Sequence, residues 1–200
     1  MFKTTEYIFF ILTVIITILL YQFADKQIAT YFYTLPHHGI KEFFHFMTRF
    51  GKSEWYLIPS ILLFWYFRKK EQRRYASMAL YIFMTNIIAG VVVWFIKVPF
   101  GRMRPEFYLK DNLYGFEWFE INHKITSFPS GHTITAISTA VGLSLLFPKY
   151  KYIFISFGII VALSRVVGTE HFMSDVVFAS FLGTMVATLL YPYYLKKESL

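Results

Sequence analysis

Lys97, Arg102, Arg104, His132, Arg165, His171 and Asp175 are ionisable side chains that stand at or near the ends of strongly apolar runs. Charge in that setting is costly, and inside a membrane span it is by default functional. Cations and histidines gathered at one depth repel one another unless an anion sits among them. A phosphate has the charge for that place, and guanidinium forks match its oxygens bidentately. Pro129, Ser130, Gly131 and His132 directly precede an apolar helical run. Ser130 is therefore positioned as an N-cap, and the free N–H groups behind it form an anion cradle. Glycine at 131 lets the backbone come close to an oxyanion. His171 and Asp175 are four residues apart, the spacing of one helix face. A carboxylate bonded to one imidazole nitrogen fixes the tautomer and leaves the other nitrogen free to attack, an arrangement of nucleophile and orienter.

Each residue also has a plainer reading. Lys97 and Arg165 at helix ends can snorkel toward the interface, and His171 with Asp175 can form a structural hydrogen bond. Arg102 can meet either the substrate phosphate or a lipid headgroup. Glu170 and Ser164 are expected to support the site rather than react. His37, His38, His45 and His123 are expected at the interface.

These residues must be positioned by membrane helices. The chain has 200 residues, 56% hydrophobic and only 16% charged, against about 25% charged in a soluble domain. Phe, Tyr and Trp make up 22% of it, and such rings favour the headgroup level. A bilayer core about 30 Å thick takes roughly 20 apolar residues per helix. Runs of that kind occur at 7–24, 55–67, 75–97, 132–147, 152–168 and 174–194. They predict an all-α, six-span bundle forming one domain over 1–200, with its chemistry between 97 and 175. The first run is expected to be an uncleaved helix, because it is longer than a signal core and lacks a small-x-small cleavage site. Within 27–53, Ile40, Phe43, Phe44, Met47 and Phe50 recur at helical spacing, which predicts an amphipathic helix either in the outer interface or packed on the bundle.

The net charge is +8. The basic run Arg68, Lys69, Lys70, Arg73 and Arg74 lies between two spans; with Lys3, Lys149, Lys151, Lys196 and Lys197 it forms the inside set if the N-terminus is cytoplasmic. Lys97, Arg104, His132, Arg165 and His171 then share the outer face. Asn86, deep in the third span, is expected to join helices, and Ala179, Gly183 and Ala187 form a small-residue packing stripe.

With no cysteine there can be no thiolate nucleophile or thiolate-bound metal. There is also no Asp-x-Asp pair, Walker-type loop or His-Glu-x-x-His stretch. No metal and no cofactor are therefore expected.

Three segments in order carry a family likeness: Lys97 with Arg104-Pro105 seven residues on; Pro129-Ser130-Gly131-His132; and Ser164-Arg165, His171 and Asp175. They resemble the three signature motifs of the type 2 phosphatidic acid phosphatase (PAP2) superfamily. The resemblance implies a metal-independent lipid phosphatase with a haloperoxidase-like helical core. His171 would attack phosphorus, Asp175 would orient it, and His132 would be the general acid. Lys97, Arg104, Arg165, Ser130 and Gly131 would hold the phosphoryl oxygens, and Arg102 is carried as a further candidate for that shell. It also implies a phosphorylated lipid of the bacterial inner membrane as substrate, with no nucleic-acid partner. The short form without an inserted soluble domain is similar to the lipid A 1-phosphatases and the undecaprenyl pyrophosphate phosphatases, leaning to the first; phosphatidylglycerol phosphate phosphatases also match in size and layout. A lipid phosphotransferase and a non-enzymatic lipid transporter are the competing classes, the latter disfavoured because transport needs no His-Asp pair. The 105–128 loop, with Phe107, Tyr108, Tyr114, Phe116, Trp118 and Phe119 among Glu106, Asp111, Glu117 and Glu120, is expected to cap the site or to form an aromatic belt.

Overall fold

The computed structural model describes residues 4–36, 38–119 and 125–195. His37, Glu120, His123, Lys3, Lys124, Lys196 and Lys197 lie outside the described residues. The helices are α1 (Thr4–Phe23), α2 (Asp25–Thr34), α3 (Ile40–Met47), α4 (Glu54–Lys69), α5 (Arg73–Phe100), α6 (Pro105–Asp111), α7 (Gly131–Leu146), α8 (Lys151–Val167) and α9 (Met173–Leu195). Among the described residues no strand forms; one isolated antiparallel bridge joins Arg102 to Phe116.

The six expected runs correspond to α1, α4, α5, α7, α8 and α9. Four stretches, Glu6–Phe23, Arg73–Phe100, Pro148–Val167 and Met173–Leu195, are long and apolar enough to cross a bilayer. α4 and α7 have 16 residues each, about 24 Å of helix at 1.5 Å per residue, which is short of the ~30 Å hydrocarbon core. The chain is an all-helical membrane protein.

α7 is the central helix. Its residues from Thr133 to Gly142 are buried without a break, as expected for a helix enclosed on all sides, and it packs on α9, α8 and α5. Small residues make these contacts close. A Cβ at Gly183 would stand 2.9 Å from the Ile134 carbonyl oxygen, and one at Gly158 would stand 2.6 Å from the Ala140 Cβ. Ala179 and Ala187 are fully buried beside Gly183, so the expected stripe is a packing face. Asn86 Nδ2 donates to Thr139 Oγ1 (3.0 Å), tying α5 to α7 as expected.

The stretch read as one amphipathic segment divides into α2, α3 and a 3-10 turn over Thr48–Gly51. The hydrophobic stripe belongs to α3 and the turn. Met47 is buried and packs with Phe50 against Ala136 and Val161, while Ile40 and Phe43 are exposed. α3 therefore has one edge on the bundle and the other outward. The antiparallel pairing of α4 with α5 puts the basic run 68–74 at the opposite end of the bundle from Lys97.

Two local expectations need correction. Lys97 does not end its helix: α5 continues to Phe100 and stops at Gly101, whose φ of 44° is left-handed and whose N–H donates to the Lys97 carbonyl. His171 is not on α9, which starts at Met173. It lies in the preceding turn, where its N–H donates to the Arg165 carbonyl (3.1 Å).

Candidate active site

Helix ends and two turns build the site. Ser130 is the N-cap of α7; its Oγ accepts from the Thr133 N–H at 3.4 Å and from the Thr133 hydroxyl at 2.9 Å. The position of a Cβ on Gly131 is open, with its nearest neighbour Val93 Cγ1 at 4.0 Å. The N-terminus of α7 is thus capped from beneath and unobstructed at its first residue. His132 follows, packed against Gly51 so tightly that a Cβ there would lie 2.6 Å from the imidazole Cδ2. The Thr48–Gly51 turn is therefore a wall of the site. The apolar stripe reaches it through Phe50, but nothing in the sequence marks Thr48 or Gly51 as facing the site.

His171 is almost fully buried. Its Nδ1 lies 3.5 Å from Asp175 Oδ2 and 3.2 Å from Ser127 Oγ. Ser127 donates to the same Asp175 oxygen at 2.6 Å, and the Phe172 N–H donates to it at 2.9 Å. With its own proton given to Asp175, the Ser127 oxygen can accept from His171 only if Nδ1 carries the hydrogen. That tautomer leaves the Nε2 lone pair free. The carboxylate therefore orients the imidazole both directly and through Ser127, which the sequence reading missed because a loop serine has no periodic signature. Burial pushes the His171 pKa well below that of an ordinary histidine; the Asp175 hydrogen bond opposes this, and Lys97, Arg104 and Arg165 reinforce it. Burial therefore favours the neutral ring. Ser127→Ala is expected to lower kcat about 10-fold with KM little changed, checked by steady-state kinetics in detergent.

Lys97, Arg104 and Arg165 all lie within electrostatic reach of His171. Lys97 Nζ donates to the Thr126 carbonyl. Arg104 Nη1 lies 3.4 Å and Arg165 Nη2 3.5 Å from the same Glu170 oxygen, so an exposed carboxylate lies between two guanidiniums that could together grip an anion. Arg165 Nη1 also donates to Thr48, and among the described residues its buried Nε has no hydrogen-bond partner. Burial lowers the Arg104 pKa and the Glu170 carboxylate opposes that shift. His132 lies within electrostatic reach of Arg165, Lys52, Arg104 and Lys97. Ser164 serves its own helix, donating to the Val161 carbonyl (2.6 Å). His38 and His45 are exposed.

Arg102 departs from its expected place. It is buried to 1% exposure, and its terminal nitrogens are taken up by protein groups. Nη2 donates to Asp25 Oδ2 (2.7 Å), and Nη1 donates to Ser174 Oγ (2.7 Å) and to Asp175 Oδ1. Phe172 and Tyr21 cover the guanidinium, with ring centroids at 4.5 and 4.9 Å. Burial would push its pKa down, but the carboxylates of Asp175 and Asp25 outweigh that and hold it above the usual arginine value. The turn at Gly101 explains the difference: it sends residue 102 into the core and residue 104 back toward the site. Asp25, at the start of α2, also passed unnoticed, although an acid directly after an apolar run is a membrane-depth ionisable residue like the others.

The described aromatic residues of the 105–128 loop divide between the packing around Arg102 and the surface. Tyr114 stacks on Tyr21 at 4.8 Å and Phe116 packs over Arg102, whereas Trp118 and Phe119 are exposed. A groove of ≈ 740 Å³ runs between α4, α5 and α7, from Gly131, His132 and Gly51 along Leu57, Val91 and Trp94. It joins a polar head to an apolar wall.

A model of the PAP2 superfamily matches residues 74–199. The chain belongs to the PAP2 superfamily. All three motif segments of this PAP2 chain fall inside the match; Asp25, Thr48 and Gly51 fall outside it. Two curated relatives are named lipid A 1-phosphatase. The one from Rhizobium etli is 33% identical over 150 residues, covering 70% of this chain and 65% of the relative. The one from Rhizobium johnstonii is 31% identical over 161 residues, covering 75% and 66%. The match thus spans just under two thirds of the length of these relatives. Among solved structures, the crystal structure of a transmembrane PAP2-type phosphatidylglycerolphosphate phosphatase from Bacillus subtilis superposes with a TM-score of 0.67 at 20% identity, covering 99% of this chain and 98% of that one. At that identity the likeness concerns the fold.

Proposed function

We propose that the chain is a metal-independent lipid phosphatase working through a phosphohistidine, and that its substrate is lipid A phosphorylated at its 1-position. The observation that carries the reading is His171, held neutral against Asp175 and Ser127 with Lys97, Arg104 and Arg165 around it. His171 Nε2 attacks phosphorus, the bond from phosphorus to the lipid oxygen breaks, and His132 gives that oxygen a proton. Water then attacks the phosphohistidine, His132 takes the proton back, and inorganic phosphate leaves. Lys97, Arg104, Arg165 and the Ser130–Gly131 end of α7 hold the phosphoryl oxygens while charge develops. The groove beside His132 supports a lipid rather than a soluble ester, because its walls match acyl chains. The names of the two relatives favour lipid A over the other lipids.

Purified protein in detergent is expected to release phosphate fastest from lipid A in a panel that also contains undecaprenyl pyrophosphate and phosphatidylglycerol phosphate, and to do so in excess chelator. A faster rate on another panel member would reassign the substrate. An absolute metal requirement would contradict the chemistry, and transfer of the phosphate to a second lipid instead of water would make the protein a phosphotransferase.

The site faces the outside of a bacterial inner membrane, with the basic run 68–74 in the cytoplasm. The sequence has no native cysteine, so Trp118→Cys, at a residue 62% exposed, offers one thiol. It is expected to react with an impermeant maleimide in spheroplasts; labelling only after the membrane is opened would reverse the topology.

A further inference from the structure

We propose that Asp25 and Arg102 are positioning residues for the phosphoryl-transfer site: together they set the charge felt by Asp175, and through it the basicity of His171. The proposal rests on His171 being the nucleophile. It extends the site to the junction of α1 and α2, outside the stretch matched to the family.

Three buried charges lie in a row. Arg102 joins the carboxylate of Asp25 to that of Asp175, donating to Asp25 Oδ2 at 2.7 Å and to Asp175 Oδ1 through its other terminal nitrogen. Each of the three is at most 1% exposed, so no solvent screens them and the low local dielectric magnifies their interaction. The two oxygens of Asp175 face opposite ways. Oδ2 meets Ser127 and the His171 side, while Oδ1 meets Arg102. Whatever Arg102 draws from Oδ1 is lost to the imidazole. Asp25 limits that draw, because its own carboxylate competes for the same guanidinium. It is itself fixed by the Ser174 N–H at 3.0 Å, one residue before Asp175. A simple staple for α2 would need one carboxylate on Arg102; here the second partner of the arginine is the group that orients the nucleophile.

The other charged groups around His171 are Lys97 from α5, Arg104 at the start of α6, Arg165 from α8, Asp175 from α9 and Glu170 in its own turn. All but the two carboxylates disfavour imidazolium, so Asp175 is the main group that stabilises the positive charge His171 acquires as it attacks. Removing Asp25 would leave Arg102 wholly on Asp175 and make His171 less basic. Removing the charge of Arg102 would do the reverse.

The signs make the test decisive. Asp25→Asn, Arg102→Gln, the double variant, His171→Ala and wild type would be assayed for phosphate release over pH with the three-lipid panel. Expected for Asp25→Asn is a kcat about 10-fold lower, KM nearly unchanged, and an acid limb moved to lower pH by roughly one unit. Arg102→Gln should move that limb to higher pH, and because Asp25 acts by competing for Arg102, the double variant should keep the limb of Arg102→Gln instead of the sum of the two opposite shifts, a departure from additivity expected of coupled residues. Any two of the three variants that elute as monodisperse species suffice, since each sign is fixed independently. Wild-type limbs in the recovered variants, or equal losses with no shift, would overturn the proposal and leave the pair as a structural staple. An active His171→Ala variant, or a wild type that hydrolyses none of the panel, would overturn the phosphatase reading instead.

Discussion

Replacing His171 with alanine is expected to lower phosphate release by about 10⁴-fold or more, since it removes the atom that bonds to phosphorus. The variant should still fold, because among the described residues the polar contacts of the side chain run through Nδ1, to Ser127 and Asp175, and these two remain bonded to each other at 2.6 Å. Substrate should still bind, held by Lys97, Arg104 and Arg165, so loss of turnover without loss of binding to detergent-dispersed lipid is the signature. The same residue governs the pH profile of the wild type. His171 must be neutral to attack, and burial holds its pKa well below the ordinary value. The neutral form therefore persists as pH falls, and the acid limb of kcat/KM should lie below the usual histidine midpoint of about 6.5. A limb at or above that midpoint would contradict the neutral, buried nucleophile.

The second large effect is at His132. With alanine there, the imidazole that gives a proton to the departing lipid oxygen is gone, and a loss of about 10²–10⁴-fold in kcat is expected. The loss should depend on the leaving group. The aryloxide of a nitrophenyl phosphate leaves as a stable anion and needs no proton, so the variant should lose far less on that ester than on a lipid phosphate; equal losses on both would remove His132 from the acid role. The orientation of the ring depends on Gly51, which leaves no room for a side chain beside it.

Much of this was legible before the fold was known, for a physical reason. Membrane spans are the strongest pattern a sequence carries, and an ionisable residue within or beside one is conspicuous. Lys97, Arg104, Arg165, His171 and Asp175 stood out on that ground, and the cap role of Ser130 followed from the apolar run after it. What stayed hidden were residues that matter through one tertiary contact. Ser127 lies in an irregular loop, Gly51 matters only because His132 comes to rest on it, and Thr48 meets Arg165 from a different helix pair. Arg102 was misplaced for a related reason. Two residues from Arg104 in sequence, it was expected to share the work of that residue, but the left-handed turn at Gly101 sends the two in opposite directions. Its true partner Asp25 is 77 residues away, a separation no local pattern reveals. Likewise, α4 and α7 carry the right composition but fall short of a full bilayer crossing, and length alone left their status open.

A covalent bond between His171 and phosphorus is the central step of the proposed reaction. The direct measurement is to mix enzyme with an excess of phosphorylated lipid, stop the reaction within its first turnovers in alkali, where phosphohistidine survives, and map the modified peptide by mass spectrometry. The expected result is phosphate on His171, absent from His171→Ala and lost again as turnover ends. Phosphate on a different residue, or turnover at the full rate with His171 never modified, would contradict it.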